Sequence, residues 1–281
     1  MPDPLRLLNT VARAVDAIVA TPGRRGRSME LALADEVVVV GDLHGHIPNF
    51  QTVYKLADLA HHPRRHLVLQ EMVHSKFRYP LGGDKSHQLL DLFCALKNQY
   101  PDRVHLLMGN HELAQWTGSP IMKNDEDLNA LFSSGIKEAY GQRAPEIEAA
   151  YQRLFAVLPL AIRLPNRVLL CHSLPAARHS DRFDRAILES EEPPAEAWQP
   201  KGIIYSMLWG RDCSSANAES FLKKWDCDWL ITGHIPCEKG FSTPNERQFI
   251  VDCCSSPAAY VVVPADRILT HQDILHSIHV I

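Results

Sequence analysis

Four consecutive valines, Val37 to Val40, run directly into Gly41-Asp42-Leu43-His44-Gly45-His46. A β-branched run with no polar alternate asks for a strand covered on both faces, so the chain must place one layer above it and another below. The polar residues that follow fall where the strand ends and the backbone turns, the place where open α/β folds gather ligands. The pattern recurs. Val104–Leu107 leads to Asn110 and His111, "RVLLC" to His172, and "WLIT" to His234. A single histidine after a strand is usually structural. Four strand ends delivering one Asp, one Asn and four His point to a shared site, and Gly41, Gly45, Gly109 and Gly233 supply tight turns beside it.

Between the runs the pattern switches to helical spacing. Helices are expected over Asn49–Ala60 and Ser86–Asn98 and near 125–139 and 145–157, with a second strand at His66–Leu69. Strands alternating with helices argue for a parallel sheet under helical cover. The second half is richer in β structure: "LPLAIRLPNRVLLCH" reads as a hairpin turning at Pro165-Asn166, followed by "WLITGH", "RQFIVDCC" and "AYVVVP". One α/β domain over residues 35–281, with a mixed sheet or a pair of sheets, accommodates this. Residues 1–34 read as an amphipathic helix, with Leu8, Val11, Val15, Ile18 and Val19 inward, plus a linker packed on the domain. Arg6, Arg13 and Asp16 interrupt the apolar positions, unlike a secretory leader.

Composition narrows the function classes. A net charge of −4 over 281 residues gives no general pull toward nucleic acid or an anionic membrane. The basic runs "GRRGR" and "HHPRRH" read as solvated loops, and "ESEEPPAEAWQP" as a surface excursion. Seven cysteines without a C-x-x-C pair suggest neither a zinc ribbon nor a disulfide framework, and a reducing cytoplasm is the expected setting. Carboxylate, carboxamide and imidazole donors without thiolates suit Mn, Fe or catalytic Zn.

The ordered set "GDLHGH", "GNHE", the "CH" after a strand and "GHIP" resembles the calcineurin-like metallophosphoesterases, in their Ser/Thr phosphoprotein phosphatase branch, from about Val37 to Ile274. The resemblance implies a two-sheet β-sandwich flanked by helices, with two metal ions at the mouth between the sheets. It implies Asp42 and His44 on the first ion, Asn110, His172 and His234 on the second, and His111 as general acid. Glu112 would support its turn. The second motif diverges. Where the family pattern is G-D-x-x-D-R-G, residues 70–76 read Gln70, Glu71, Met72, Val73, His74, Ser75, Lys76. Glu71 then falls on the bridging carboxylate and His74 on the acid that orients His111. The arginine is lost at Ser75, and Arg78 and Arg211 become the candidates for binding phosphate. Asp84 is expected to cap the helix beginning near Ser86, and Cys253-Cys254 to lie in the core.

The activity so implied is hydrolysis of phosphomonoesters, foremost phosphoserine or phosphothreonine in proteins, by a metal-bridging hydroxide. Two alternatives stay open: a hydrolase of dinucleoside polyphosphates or small phosphoesters, and a module that binds metal or phosphate without turnover. The sequence assigns neither a regulatory partner nor an oligomeric state.

Overall fold

The computed structural model describes residues 3–281. Its strands in chain order are β1 (Arg24–Arg25), β2 (Ser28–Glu30), β3 (Glu36–Asp42), β4 (Arg65–Gln70), β5 (Val104–Leu107), β6 (Met122–Lys123) and β7 (Glu126–Asp127). They continue with β8 (Ala161–Arg163), β9 (Val168–Cys171), β10 (Trp229–Thr232), β11 (Phe241–Ser242), β12 (Gln248–Val251), β13 (Ala259–Pro264) and β14 (Ile278–Val280). Two sheets face each other, a five-stranded one ordered β14-β13-β3-β4-β5 and a seven-stranded one ordered β1-β2-β8-β9-β10-β12-β11. Strands β3, β4 and β5 are parallel, as the strand–helix alternation requires, while β13 returns antiparallel along β3. In the larger sheet β9, β10 and β12 are parallel, and β8–β9 is the hairpin read from the sequence.

The valine run shows why both faces must be covered. Val37 and Val39 point between the sheets, where they meet Ile162, Leu170, Ile231 and Phe249. Val38 and Val40 point the other way, into the core shared with the helices. Each buried valine contributes about 1.5–3 kcal/mol of transfer free energy, so a polar residue at any of the four would open one core or the other. The helical layer includes α1 (Pro4–Val19), α2 (Ile47–Ala57), α3 (His87–Gln99), α4 (Asn110–Thr117), α5 (Leu128–Tyr140) and α6 (Ala144–Phe155). Helix α1 rests on α3 and α6.

Several local expectations shift. The buried stripe of α1 is Leu7, Val11, Ala14 and Ile18, and Val19 is 52% exposed. Helix α2 starts earlier than expected because Pro48 fits the first turn, where its missing N–H is unneeded, and ends earlier at a left-handed Asp58. The segment expected as a linker enters the larger sheet through β2, which pairs with β8. The "GRRGR" run is not a solvated loop: Arg27 is only 8% exposed and lies over the Trp198 ring. Only the first part of "HHPRRH" is solvated, since Arg65 opens β4 in an ion pair with Glu36 and His66 is buried against His105. The acidic excursion is pinned at its end, with Trp198 packed edge-on against Trp116. Cys253 is core, but Cys254 is half-buried and lines the cavity described next.

Candidate metal centre

Every side chain of the candidate site hangs from the end of a strand or the start of a helix. Asp42 closes β3, Glu71 follows β4, and Asn110 opens α4 after β5. His172 follows β9, and His234 follows β10 by two residues. The first three come from the five-stranded sheet and the last two from the seven-stranded one. The turns that aim them are unusual for residues with a Cβ. His44 (φ 41°), Glu71 (φ 40°), His74 (φ 65°) and His234 (φ 68°) all occupy the left-handed region. Each such residue costs on the order of 1–3 kcal/mol and persists where its surroundings over-determine it, typically at functional sites.

Glu71 sits at the centre. Its Oε1 accepts the His111 amide at 2.8 Å, and its Oε2 lies 3.6 Å from His44 Nε2 and 3.5 Å from His172 Nε2. Two groups of potential metal donors result, His44–Glu71–His111 and Glu71–His172–His234, each spanning no more than 4.8 Å. They share Glu71. Gly109 makes room for it, because a Cβ there would fall 2.5 Å from Glu71 Oε1. Asn110 Oδ1 joins the second group, 2.9 Å from His172 Nε2, which is 3.2 Å from His234 Nδ1. Asp42 is placed differently from the rest. Its carboxylate accepts the His234 amide at 2.9 and 3.1 Å and lies 3.6 Å from His172 Nδ1.

The donor set fits metal ions on three counts. His44 Nδ1 bonds the Val73 carbonyl at 2.8 Å, which leaves Nε2 as a lone pair turned to Glu71. His172 Nδ1 is buried with no hydrogen-bond partner among the described residues. The carboxylates are also short of positive charge: burial lifts Asp42 to about 7, and burial with the neighbouring Asp42 and Glu112 charges raises Glu71. Burial depresses His172, with the His234 charge adding to it, and brings His234 to about 4, with Arg211 adding to it. Neutral imidazoles around ionisable carboxylates are a ligand set prepared for cations.

The divergent motif is built into this frame. Glu112 Oε1 accepts the Met72 and Val73 amides at 2.7 and 3.1 Å while Oε2 accepts the Gly109 amide, so α4 holds the 71–73 turn. His74 Nδ1 lies 2.9 Å from His111 Nδ1, and its Nε2 donates to Gln115 Oε1 at 3.1 Å. That donation makes His74 Nδ1 the acceptor and His111 Nδ1–H the donor, which leaves His111 Nε2 unprotonated in the neutral ring. Burial brings His74 to about 4, and burial with the His44 and His74 charges holds His111 well below the usual histidine value. Asp84 is buried below the turn, accepting from the Ser75 and Ser86 amides, and so pins the loop that follows. His46 caps α2 through Asn49.

The cavity over these groups has a volume of about 630 Å³. Arg78 and Arg211 both line it, with Lys76 and Lys123. Arg211 Nε is 3.3 Å from His234 Nε2. Arg78 is engaged elsewhere, donating to the Ser75 carbonyl at 2.6 Å and lying 3.8 Å from Asp84 and 3.6 Å from Glu126. Sequence reasoning missed Asp252, Gln115 and the β6–β7 hairpin, which brings Met122 and Lys123 to the cavity. Asp252 follows the apolar run of β12, the same signal that marked the other strand ends.

A two-sheet sandwich whose strand ends converge on a histidine–carboxylate cluster defines a metallohydrolase class of fold and site. The chain belongs to the calcineurin-like phosphoesterase family, whose profile matches residues 36–238. A probable serine/threonine-protein phosphatase of Encephalitozoon cuniculi is 25% identical over 224 residues, 73% of this chain and 44% of that protein. Human serine/threonine-protein phosphatase 5 is 23% identical over 231 residues, 75% of this chain and 41% of its own length. The chain thus spans less than half of these curated relatives. Among solved structures, a Saccharomyces cerevisiae protein serine/threonine phosphatase superposes with a TM-score of 0.71 at 16% identity, covering 100% of this chain and 89% of that one. The cold-active protein-tyrosine phosphatase of a Shewanella species gives 0.60 at 13% identity, covering 90% and 82%. At such identities the shared property is the fold. No helix among the described residues is long and apolar enough to cross a membrane.

Proposed function

We propose that the chain is a metal-dependent phosphomonoesterase acting on phosphoserine and phosphothreonine in proteins. The single observation that carries this reading is Glu71 Oε2 lying between His44 and His172, within two donor groups that share it. On this reading His44, His172, His234, Asn110 and Asp42 hold two ions with Glu71 between them. The ions, of Mn, Fe or Zn, would neutralise phosphoryl charge and activate water. Arg211, beside His234, is placed to orient phosphoryl oxygens with its planar fork, and the Lys76 and Lys123 ammonium groups add positive charge around the mouth. His111 delivers the proton to the departing alkoxide, and His74 fixes its ring. The relatives named above support the protein-phosphatase reading, and seven cysteines without a disulfide among the described residues support a reducing, cytoplasmic setting.

Protein reconstituted with Mn, Fe or Zn is expected to hydrolyse p-nitrophenyl phosphate and to prefer phosphoserine and phosphothreonine peptides over phosphotyrosine peptides. Two bound metals with no turnover of any of these would identify a binding module. Turnover confined to dinucleoside polyphosphates would replace the substrate class.

Metal uptake carries its own pH dependence. Burial lifts Asp42 to about 7 and, with the neighbouring carboxylates, raises Glu71 as well, so at acidic pH an incoming ion must displace protons from this pair. The depressed histidines, already neutral there, do not compete. Mn²⁺ affinity should therefore rise between roughly pH 5 and pH 8, with protons released on binding. Titration in weakly buffered solution measures both, and a flat affinity across that range would contradict the assignment of the Asp42 and Glu71 carboxylates as ligands.

A further inference from the structure

Gln70 is a buried polar residue beside Asp42 that none of the roles above employs. It closes β4, opposite Asp42 on one side and Leu107 on the other. The residue is fully buried, and both Oε1 and Nε2 lack a hydrogen-bond partner among the described residues. Buried carboxamides in folded proteins are nearly always answered by protein, water or an ion, so an orphaned one marks a place where something binds. The direction of the side chain says where. A Cβ on Gly233 would lie 2.3 Å from Asp42 Oδ1 and 3.3 Å from Gln70 Oε1, so the two oxygens converge over the same backbone. On another side of Asp42 stands a further unpartnered atom, His172 Nδ1, 3.6 Å from Asp42 Oδ1. Unanswered polar atoms thus surround a single buried carboxylate. A carboxamide oxygen is a neutral, hard donor that suits a divalent ion or its water ligands, and it adds no charge to a cluster already rich in carboxylates.

We propose that Gln70 belongs to the metal centre, its carboxamide oxygen serving the ion held at Asp42 directly or through a water ligand of that ion. The inference rests on the metal-centre reading and adds a residue to it. The competing explanation is a trapped water that satisfies the amide and has no bearing on metal.

Wild type, Gln70→Met and Gln70→Glu, all stripped of metal, would be titrated with Mn²⁺ by calorimetry, with melting temperatures recorded before and after loading. Met keeps the bulk of the side chain and removes both polar atoms. Gln70→Met is expected to melt no lower than wild type when metal-free, to bind one of its two ions about 10–100-fold more weakly, and to gain less in melting temperature on loading. Gln70→Glu keeps an oxygen at the same reach and should recover most of that affinity. Unchanged affinities for both ions in Gln70→Met would overturn the inference while leaving the metal centre standing. If Gln70→Met does not fold, weakened binding in Gln70→Glu to the level of a one-ion protein would overturn it equally. A wild type that takes up no Mn²⁺, Fe or Zn would remove the metal centre itself, a separate failure visible before any variant is compared.

Discussion

Glu71→Ala is expected to lose the paired metal centre and with it all measurable phosphatase activity. Glu71 belongs to both donor groups, so its removal weakens two ions at once, whereas loss of His44 or His234 weakens one. Even residues that only orient metal ligands cost about 10–100-fold in affinity when replaced, and a shared ligand should cost more. Oε1 also anchors the His111 amide, so loss of activity in Glu71→Ala alone does not separate loss of the ions from disturbance of that helix start. Glu71→Gln separates the two. Its amide oxygen keeps the bond to His111 but not the charge or the second acceptor oxygen. Metal content per chain and p-nitrophenyl phosphate turnover, measured on the same samples, decide the matter. Two metals retained in both variants would refute the bridge.

His111→Ala is expected to lower kcat by about 10²–10⁴-fold, the usual range for a general acid, with both metals retained. The structure gives this experiment a second edge, because His111 also stands within one of the donor groups. Loss of an ion in the variant would make it a ligand instead. The pH profile tests the same assignment. The pKa of His111 is held down by burial and by the neighbouring His44 and His74, so its acid form is lost as pH rises through a value below the usual histidine range. With metal kept saturating across the profile, turnover should then favour acidic pH. In His74→Asp a carboxylate accepts the same hydrogen bond and stabilises the imidazolium, which should move the alkaline limb upward by about 1–3 units. An unmoved limb would show that the His74–His111 contact has no part in setting the acid.

Much of the site was legible because each donor follows an uninterrupted apolar run. Val37–Val40, "RVLLC" and "WLIT" place Asp42, His172 and His234 without any knowledge of the sheets. Asp252 obeyed the same rule and was overlooked because the adjacent cysteines drew the reading toward core packing. The contact between His74 and Gln115 had no such signal. It joins residues 41 apart in sequence, and only the docking of α4 beside the 71–76 turn brings them together. The β6–β7 hairpin is too short and too exposed for periodicity to reveal it. Its one local sign is Asn124-Asp125, both in the left-handed conformation that a tight hairpin turn demands. Arg78 was a candidate for binding phosphate; its pairing with Asp84 and Glu126 depends on a loop path that composition does not encode.

The division of donors between the sheets has a consequence for the order of assembly. Asp42 and the His234 amide it binds are 192 residues apart, and Asn110 and His172 are 62 apart. Contacts so distant in sequence are made late, after the chain has met the entropic cost of closing large loops. The second donor group joins Glu71 of one sheet to His172 and His234 of the other, so the proposed capacity for a pair of ions would appear only once the two sheets have docked. On the proposed metal centre, uptake of the second ion during refolding would therefore be a clock for the docking of the sheets, distinct from the earlier appearance of secondary structure. A nascent chain that has made only β3, β4 and β5 holds Asp42, His44, Glu71, Asn110 and His111, without the His172 and His234 of the second donor group.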